Sequence, residues 1–380
     1  MIKLSKNTNK QQNEGMKMRK EKTKIISSFA LVSTVIFIII GFVYLLTDIS
    51  VGFADFVNSN ISQPFRKLMA SIGEIFPFSL FEMLIILLPI ILFLVIYRAV
   101  KVFSDCTLRL RFLINLLSVV LLIYSGHLLA LGVAHNTTPI DQKMELSSTE
   151  VSETVLVETL SDLVVEINLL SDNVARNDEG LFIHNYTNSE LSLFISDLYK
   201  QFADAYGLPK GYYSTVKFVR AGVVMSYLGI TGIYTYPTGE ANINSSYPDY
   251  VTIFTAAHEM AHQRGILREN EANFVAYIIL STSDDPAFRY SAAVNMYSYF
   301  ASALYKTNKD AYYEIASNLC EDAKVDIRYA NAISTKYGDT IIEKISDWIN
   351  DFYLESSGSG GIVSYSRVVE LVLAYRYNKQ

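Results

Sequence analysis

Between Leu80 and Tyr97 the chain reads LFEMLIILLPIILFLVIY, with Glu82 its one acid and no base. A run of this length and composition suits the ~30 Å hydrocarbon core of a bilayer. It has to be a helix there, because lipid offers no partner to an open backbone. Two further apolar runs flank it, Ile25 to Leu46 and Phe112 to Leu131. The first exceeds the ~7–15 apolar residues of a cleavable signal and no small-x-small site follows it, so it is read as an anchor. Three transmembrane helices are therefore expected within residues 25–131.

The cations give an orientation. Lys17, Arg19, Lys20, Lys22 and Lys24 precede the first run, and Arg98, Lys101, Arg109 and Arg111 lie between the second and third. Both segments are expected in the cytoplasm, since Lys and Arg concentrate on that side. Residues 1–24 form a basic cytoplasmic tail and residues 132–380 an extracytoplasmic domain of a multi-pass cell-membrane protein. The tail holds eight Lys/Arg against two Glu, which leaves −12 on the rest of a chain whose net charge is −6. Basic charge confined to a short tail ahead of an acidic body does not describe a nucleic-acid binder. Charged residues are only 18% of the chain, below the roughly 25% of soluble domains. Cys106 and Cys320 fall on opposite sides of the expected membrane and are not expected to pair. Glu82 and His127, the polar residues of the second and third runs, are read mainly as snorkelling or helix–helix contacts.

The outer domain is expected to be mostly helical with a small β-sheet, an α+β arrangement. Met144–Asn177 carries apolar residues at helical spacing, and Ser189–Tyr206 is a second helix. Thr215–Arg220, Gly232–Tyr236 and Glu240–Asn244 have the β-branched, aromatic or alternating pattern of strands. After Pro248 the pattern is helical again, interrupted by a Ser/Gly linker at Ser357–Gly361, and Ser364–Tyr377 closes the chain.

Within that helical part stands His258-Glu259-Met260-Ala261-His262. Asp249 is the expected N-cap of a helix over Tyr250–Gln263, with Gly265 as its C-terminal stop. Positions i and i+4 share a helix face, so His258 and His262 present two imidazoles at one point, a pair of zinc ligands. Glu259 lies beside them as general base, because a metal lowers the pKa of a bound water from ~15.7 to near 7. A catalytic zinc needs a third protein ligand. No histidine follows His262, so a downstream ligand is a carboxylate. Glu271 shares its face with Phe274, Val275 and Ile278 and is the expected ligand; Glu269 in the first turn of the same helix, and upstream Glu240 and His184, are the alternatives. Tyr234, Tyr236, Tyr365 and Arg367 are candidate oxyanion donors by type. Ile233–Tyr236 or Glu240–Asn244 could serve as an edge strand to which a peptide pairs.

Three segments together carry a resemblance: Gly239–Asn244, His258–Gly265 and Glu269–Phe274. They resemble those of a family of multi-pass bacterial membrane proteins of unknown function, the DUF3810 group, over most of the chain. Over about 40 residues the helix-plus-Glu core is similar to gluzincin metallopeptidases, and Glu271-Ala272-Asn273 to the third-ligand element of the ImmA/IrrE-type peptidases. The resemblance implies a zincin-like domain with zinc on His258, His262 and Glu271 and with Glu259 as base. The expected function is a membrane-anchored zinc metallopeptidase acting on protein or peptide outside the cytoplasmic membrane. The alternative is a membrane sensor or scaffold that keeps a structural metal and cuts nothing.

Overall fold

The computed structural model describes residues 25–206, 214–338 and 361–378. The basic tail 1–24 and residues 357–360 of the expected linker lie outside them. The chain divides into two compact units, residues 1–43 with 85–126, and residues 44–84 with 127–380.

Three helices are long and apolar enough to cross a membrane: α1 (Ser28–Ile49), α4 (Leu80–Val102), and α5 (Cys106–His127), which continues to His135. At about 1.5 Å per residue, the 22 and 23 residues of α1 and α4 each reach over 30 Å. In the first unit their apolar side chains point outward, as a lipid solvent allows. Their few polar groups are satisfied internally. Ser33 and Ser118 donate back to the carbonyls of Phe29 and Ile114, and Ser27 donates to Asn115 across two helices at 2.6 Å.

The second unit takes in the segment between the first two spans. It contains α2 (Val51–Val57), a π-helical turn (Asn58–Ser62) and α3 (Gln63–Glu74). After α5 come a second π-helical turn (Leu128–Gly132) and the short α6 (Val133–His135) and α7 (Ile140–Lys143). The fully buried Arg66 of α3 ties the π turns together, donating to Ala130 O at 2.7 Å and Asn58 Oδ1 at 2.8 Å. Ala70 and Gly73 complete the inward face of α3, and a Cβ on Gly73 would meet Thr238 O at 2.5 Å.

The body follows as α8 (Glu153–Ser171), α9 (Asn188–Tyr206), β1 (Lys217–Val219), α10 (Gly222–Tyr227), β2 (Gly232–Thr235), β3 (Glu240–Asn244) and α11 (Asp249–Gln263). Then come α12 (Glu269–Ser281), α13 (Pro286–Thr307), α14 (Lys309–Ser317), α15 (Glu321–Tyr337) and α16 (Gly361–Asn378). The core is helical. Leu156, Leu160, Leu163 and Ile167 of α8 face α13, and α11, α12, α13 and α16 enclose the rest. The sheet has order β1-β3-β2, with β3 parallel to β1 and antiparallel to β2.

Strand β3 is buried along its length, though it reads Glu-Ala-Asn-Ile-Asn. Its polar side chains are all hydrogen-bonded: Asn244 donates to Ser226 Oγ and Ile230 O, and the other two serve the start of α4. The Glu240 carboxylate accepts from the backbone N–H groups of Leu80 and Phe81 at 2.9 and 3.0 Å. These are orphan donors at the start of α4, where a negative charge also meets the positive end of the helix dipole. Ser79 caps the same helix by accepting from Glu82 N, and donates to Asn242 Oδ1 at 2.7 Å.

Candidate metal centre

Helix α11 is held from several sides. Arg264, almost fully buried, donates to Met260 O and Ser196 Oγ, and its guanidinium lies 4.4 Å from the Tyr199 ring centroid. Tyr199 in turn donates to Ala257 O. Gln263 donates to Gly239 O at 2.7 Å. Gly265, at φ +89°, closes the helix in a Schellman arrangement, with Ile266 N to Ala261 O and Gly265 N to His262 O. The expected Asp249 cap is different in the structure. The cap position is Pro248, and Asp249 instead accepts from His184 N at the opposite end of the helix from the histidine pair.

The reversal at Gly265 brings the first residue of α12 back over His258 and His262. The two rings are 4.6 Å apart at 83°. Glu269 bridges them, with Oε2 3.1 Å from His258 Nε2 and Oε1 3.4 Å from His262 Nε2. One ligand atom from each residue falls within 4.8 Å of the others. His262 Nδ1 is 2.8 Å from Ile266 O. A proton on that nitrogen leaves the Nε2 lone pair facing Glu269, the tautomer a metal requires.

Glu271 is placed elsewhere. It is buried, as its apolar face requires, but accepts from Arg268 at 3.0 Å and from Ile140 N at 3.1 Å. Arg268 also donates to the carbonyls of His135 and Thr137. Of the expected set His258, His262 and Glu271, the structure brings the two histidines together and places Glu269, the alternative in the same helix, beside them, with Glu271 turned elsewhere. Neither upstream alternative joins the cluster, since Glu240 caps α4 and His184 lies by Asp249. His135, which the sequence did not single out, lies within electrostatic reach of His262 and Glu269. Its position at the end of an apolar run hid it.

Glu259 is buried beside the pair. Tyr234 N of β2 donates to its carboxylate, and Gly232 permits the approach, since a Cβ there would meet Glu259 Oε1 at 2.8 Å. Among the described residues, Glu259 Oε2 and His258 Nδ1 are buried without a hydrogen-bond partner, a costly condition. Burial pushes the Glu259 carboxyl up, opposed by His258 and His262. Burial alone would lower His262, yet the charge of Glu269 and the bond to it raise it to about 9. Burial would likewise raise Glu269, but His262 and His258 hold it well below the usual carboxylate range.

Two imidazoles and a carboxylate are a donor set of the kind zinc takes, and Glu269 turns a separate oxygen to each imidazole, at 3.1 and 3.4 Å. Among the described residues β2 is an edge of the sheet and β3 its centre, so of the two expected strands Ile233–Tyr236 is the one with an unpaired side there. Arg367 is paired with Asp141 and Glu370. Tyr236 stands edge-on to His127 at 5.9 Å, and the Tyr365 side chain is not among those described.

Taken together, these features define a mostly helical protein with, among the described residues, three helices fit to span a membrane and one His–His–Glu cluster. The family model described as "Protein of unknown function (DUF3810)" matches residues 55–373, and the chain belongs to that family. No curated protein and no solved structure matches it.

Proposed function

We propose that this protein is a membrane-anchored zinc metallopeptidase whose second unit works outside the cytoplasmic membrane. The observation that carries the reading is the convergence of His258 Nε2, His262 Nε2 and the Glu269 carboxylate next to an unpartnered, buried Glu259 oxygen. A structural ion would not call for that fourth group. Zinc on the three ligands supplies Lewis-acid activation of a water molecule and of the substrate carbonyl. Glu259 takes the water's proton as the oxygen bonds to the carbonyl carbon, then returns it to the departing nitrogen as the C–N bond breaks. Burial raises the proton affinity of this carboxylate, which suits both transfers. An extended peptide can pair with an edge strand, and β2 is one that reaches Glu259 through Tyr234 N. The cations flanking the apolar runs support the outward placement.

The test is metal content and peptide release by the full chain in lipid nanodiscs. Wild type is expected to hold one zinc per chain and to cut. Glu259→Gln should keep the zinc and lose activity by at least about 10²-fold, the lower range for a general base. Protein without stoichiometric zinc would sink the proposal, as would cleavage unchanged in Glu259→Gln; a wild type that holds zinc and cuts no peptide would favour a sensor or scaffold.

A further inference from the structure

The segment joining the first two spans bears a surface that the site does not use. Around α3 the residues sort into three stripes. Arg66, Ala70 and Gly73 face inward, against Gly265, Gly239 and Thr238. Lys67, Ser71 and Glu74 form a polar stripe. Leu68 and Ile72, continued by Ile75 and flanked by the half-buried Phe65, form a third that is apolar and exposed, with Leu68 at 56% and Ile75 at 73%. The 3- and 4-residue spacing of Phe65, Leu68, Ile72 and Ile75 keeps this stripe on one side of the helix. Exposed apolar rows of this kind mark an interaction site. Helix α10 repeats the pattern in miniature, exposing Val223 and Val224.

What covers the stripe follows from its attachments. The chain reaches α3 from the end of one apolar span through α2 and the first π-helical turn, and only five residues lie between Glu74 and Leu80, the start of the next span. The start of that second span is fastened to the same unit, since Glu240 caps Leu80 and Phe81, and Glu82 accepts from Ala221 N, the residue before α10, at 2.7 Å. Both exposed apolar rows are thus held at the point where the chain passes into lipid. We infer that α3 is an interfacial helix, its Leu68–Ile72–Ile75 stripe immersed in the acyl boundary of the bilayer, with Lys67 and Glu74 at headgroup level and the tip of α10 dipping beside it. An amphipathic helix with an apolar face in the headgroup–acyl boundary and its charges in water is the general form of such anchors. The inward face of the same helix touches the Gly265 turn through Arg66. The interfacial helix therefore also carries the loop between His262 and Glu269.

The experiment uses the full chain, with Cys106 and Cys320 replaced by serine, in nanodiscs of phosphatidylcholine and phosphatidylglycerol. Nitroxide labels are attached singly at Leu68→Cys, Ile72→Cys and Lys67→Cys. Collisions with oxygen, which concentrates in lipid, are compared with those of a water-soluble nickel chelate. Labels at 68 and 72 should favour oxygen several-fold over the label at 67. If all three collide equally with nickel, the stripe is in water and the inference fails. If 68 and 72 are shielded from both colliders, a protein surface covers them and the inference also fails. As a second measure that keeps the position apolar, Ile72→Trp in a Trp348→Phe background should be quenched by brominated lipid; emission unmoved by bromine would overturn the assignment. Neither measurement depends on metal or on peptide cleavage.

Discussion

Glu269 and Glu271 stand about 200° apart around the first turn of α12, and each faces a different partner. Glu269 keeps 39% of its side chain exposed while reaching both imidazoles; Glu271 is spent on Arg268 and Ile140 N. Glu269→Gln should weaken zinc binding by more than the roughly 10–100-fold that loss of a supporting partner costs, and Glu271→Gln by no more than that. Competitive zinc titration against a chromophoric chelator separates the two, and the reverse order would return the ligand role to Glu271. The same cluster sets a pH signature in chelated protein. His262 is raised from 6.5 to about 9, so its contribution to stability is complete below 6.5 and lost as pH rises through about 9. Glu269 is depressed, so its contribution is present above 4.5 and lost on acidification. Thermal denaturation with chelator should therefore show a plateau between these limits and a decline above pH ~7. Glu269→Gln should flatten the alkaline decline, and an unchanged decline would show that another group titrates.

At the scale of elements, what was legible followed from local pattern. The three spans, Asn188–Tyr206 and Glu240–Asn244 were readable because apolar period and turn residues fix them. The helix carrying His258 and His262 was readable too, its Gly265 stop included. Which acid stands beside the pair was not. An inward-facing acid such as Glu271 suits a site in the core, and this cluster lies at its margin, where the first-turn Glu269 reaches the imidazoles more easily. Nor was α3 legible as part of the body, because what fixes it is long-range: Arg66 beneath Gly265, Gly73 against Thr238. The turn at Gly265 tests that coupling. A Cβ there is disfavoured at φ +89° and would stand 2.2 Å from the Arg66 guanidinium. Gly265→Ala should destabilise the protein by about 1–2 kcal/mol for the left-handed backbone alone, and more for displacing a buried cation. A shift in thermal midpoint no larger than that of Gly41→Ala, where a Cβ meets nothing within 4 Å, would show that the turn is not held so tightly.

Over the whole molecule, the second unit is assembled from two stretches of chain that a membrane-crossing hairpin separates, residues 44–84 and 127–380. A boundary drawn after the third span, at residue 132, cuts through it. The first stretch supplies Asp55, which accepts from Thr138 and pairs with Lys143 at 3.5 Å. It supplies Glu74, which accepts from Thr215, and the Phe76 carbonyl, which accepts from the buried Lys217 at 2.7 Å. It also supplies the backbone N–H groups that satisfy Glu240, a fully buried carboxylate. A fragment of residues 132–380 leaves that charge without its donors and uncovers Gly239 and Gly265. Losing one partner of a buried charged hydrogen bond costs on the order of 1–3 kcal/mol or more, and several such losses together approach the whole stability of a domain, about 5–15 kcal/mol. The fragment should therefore lack cooperative thermal unfolding and bind zinc weakly or not at all. Joining residues 44–84 to it by a flexible linker should restore both, since the missing contacts, the Leu80 and Phe81 N–H groups included, come from that stretch. A fragment of 132–380 that melts cooperatively alone would show that the inter-span segment rests on the body without holding it together.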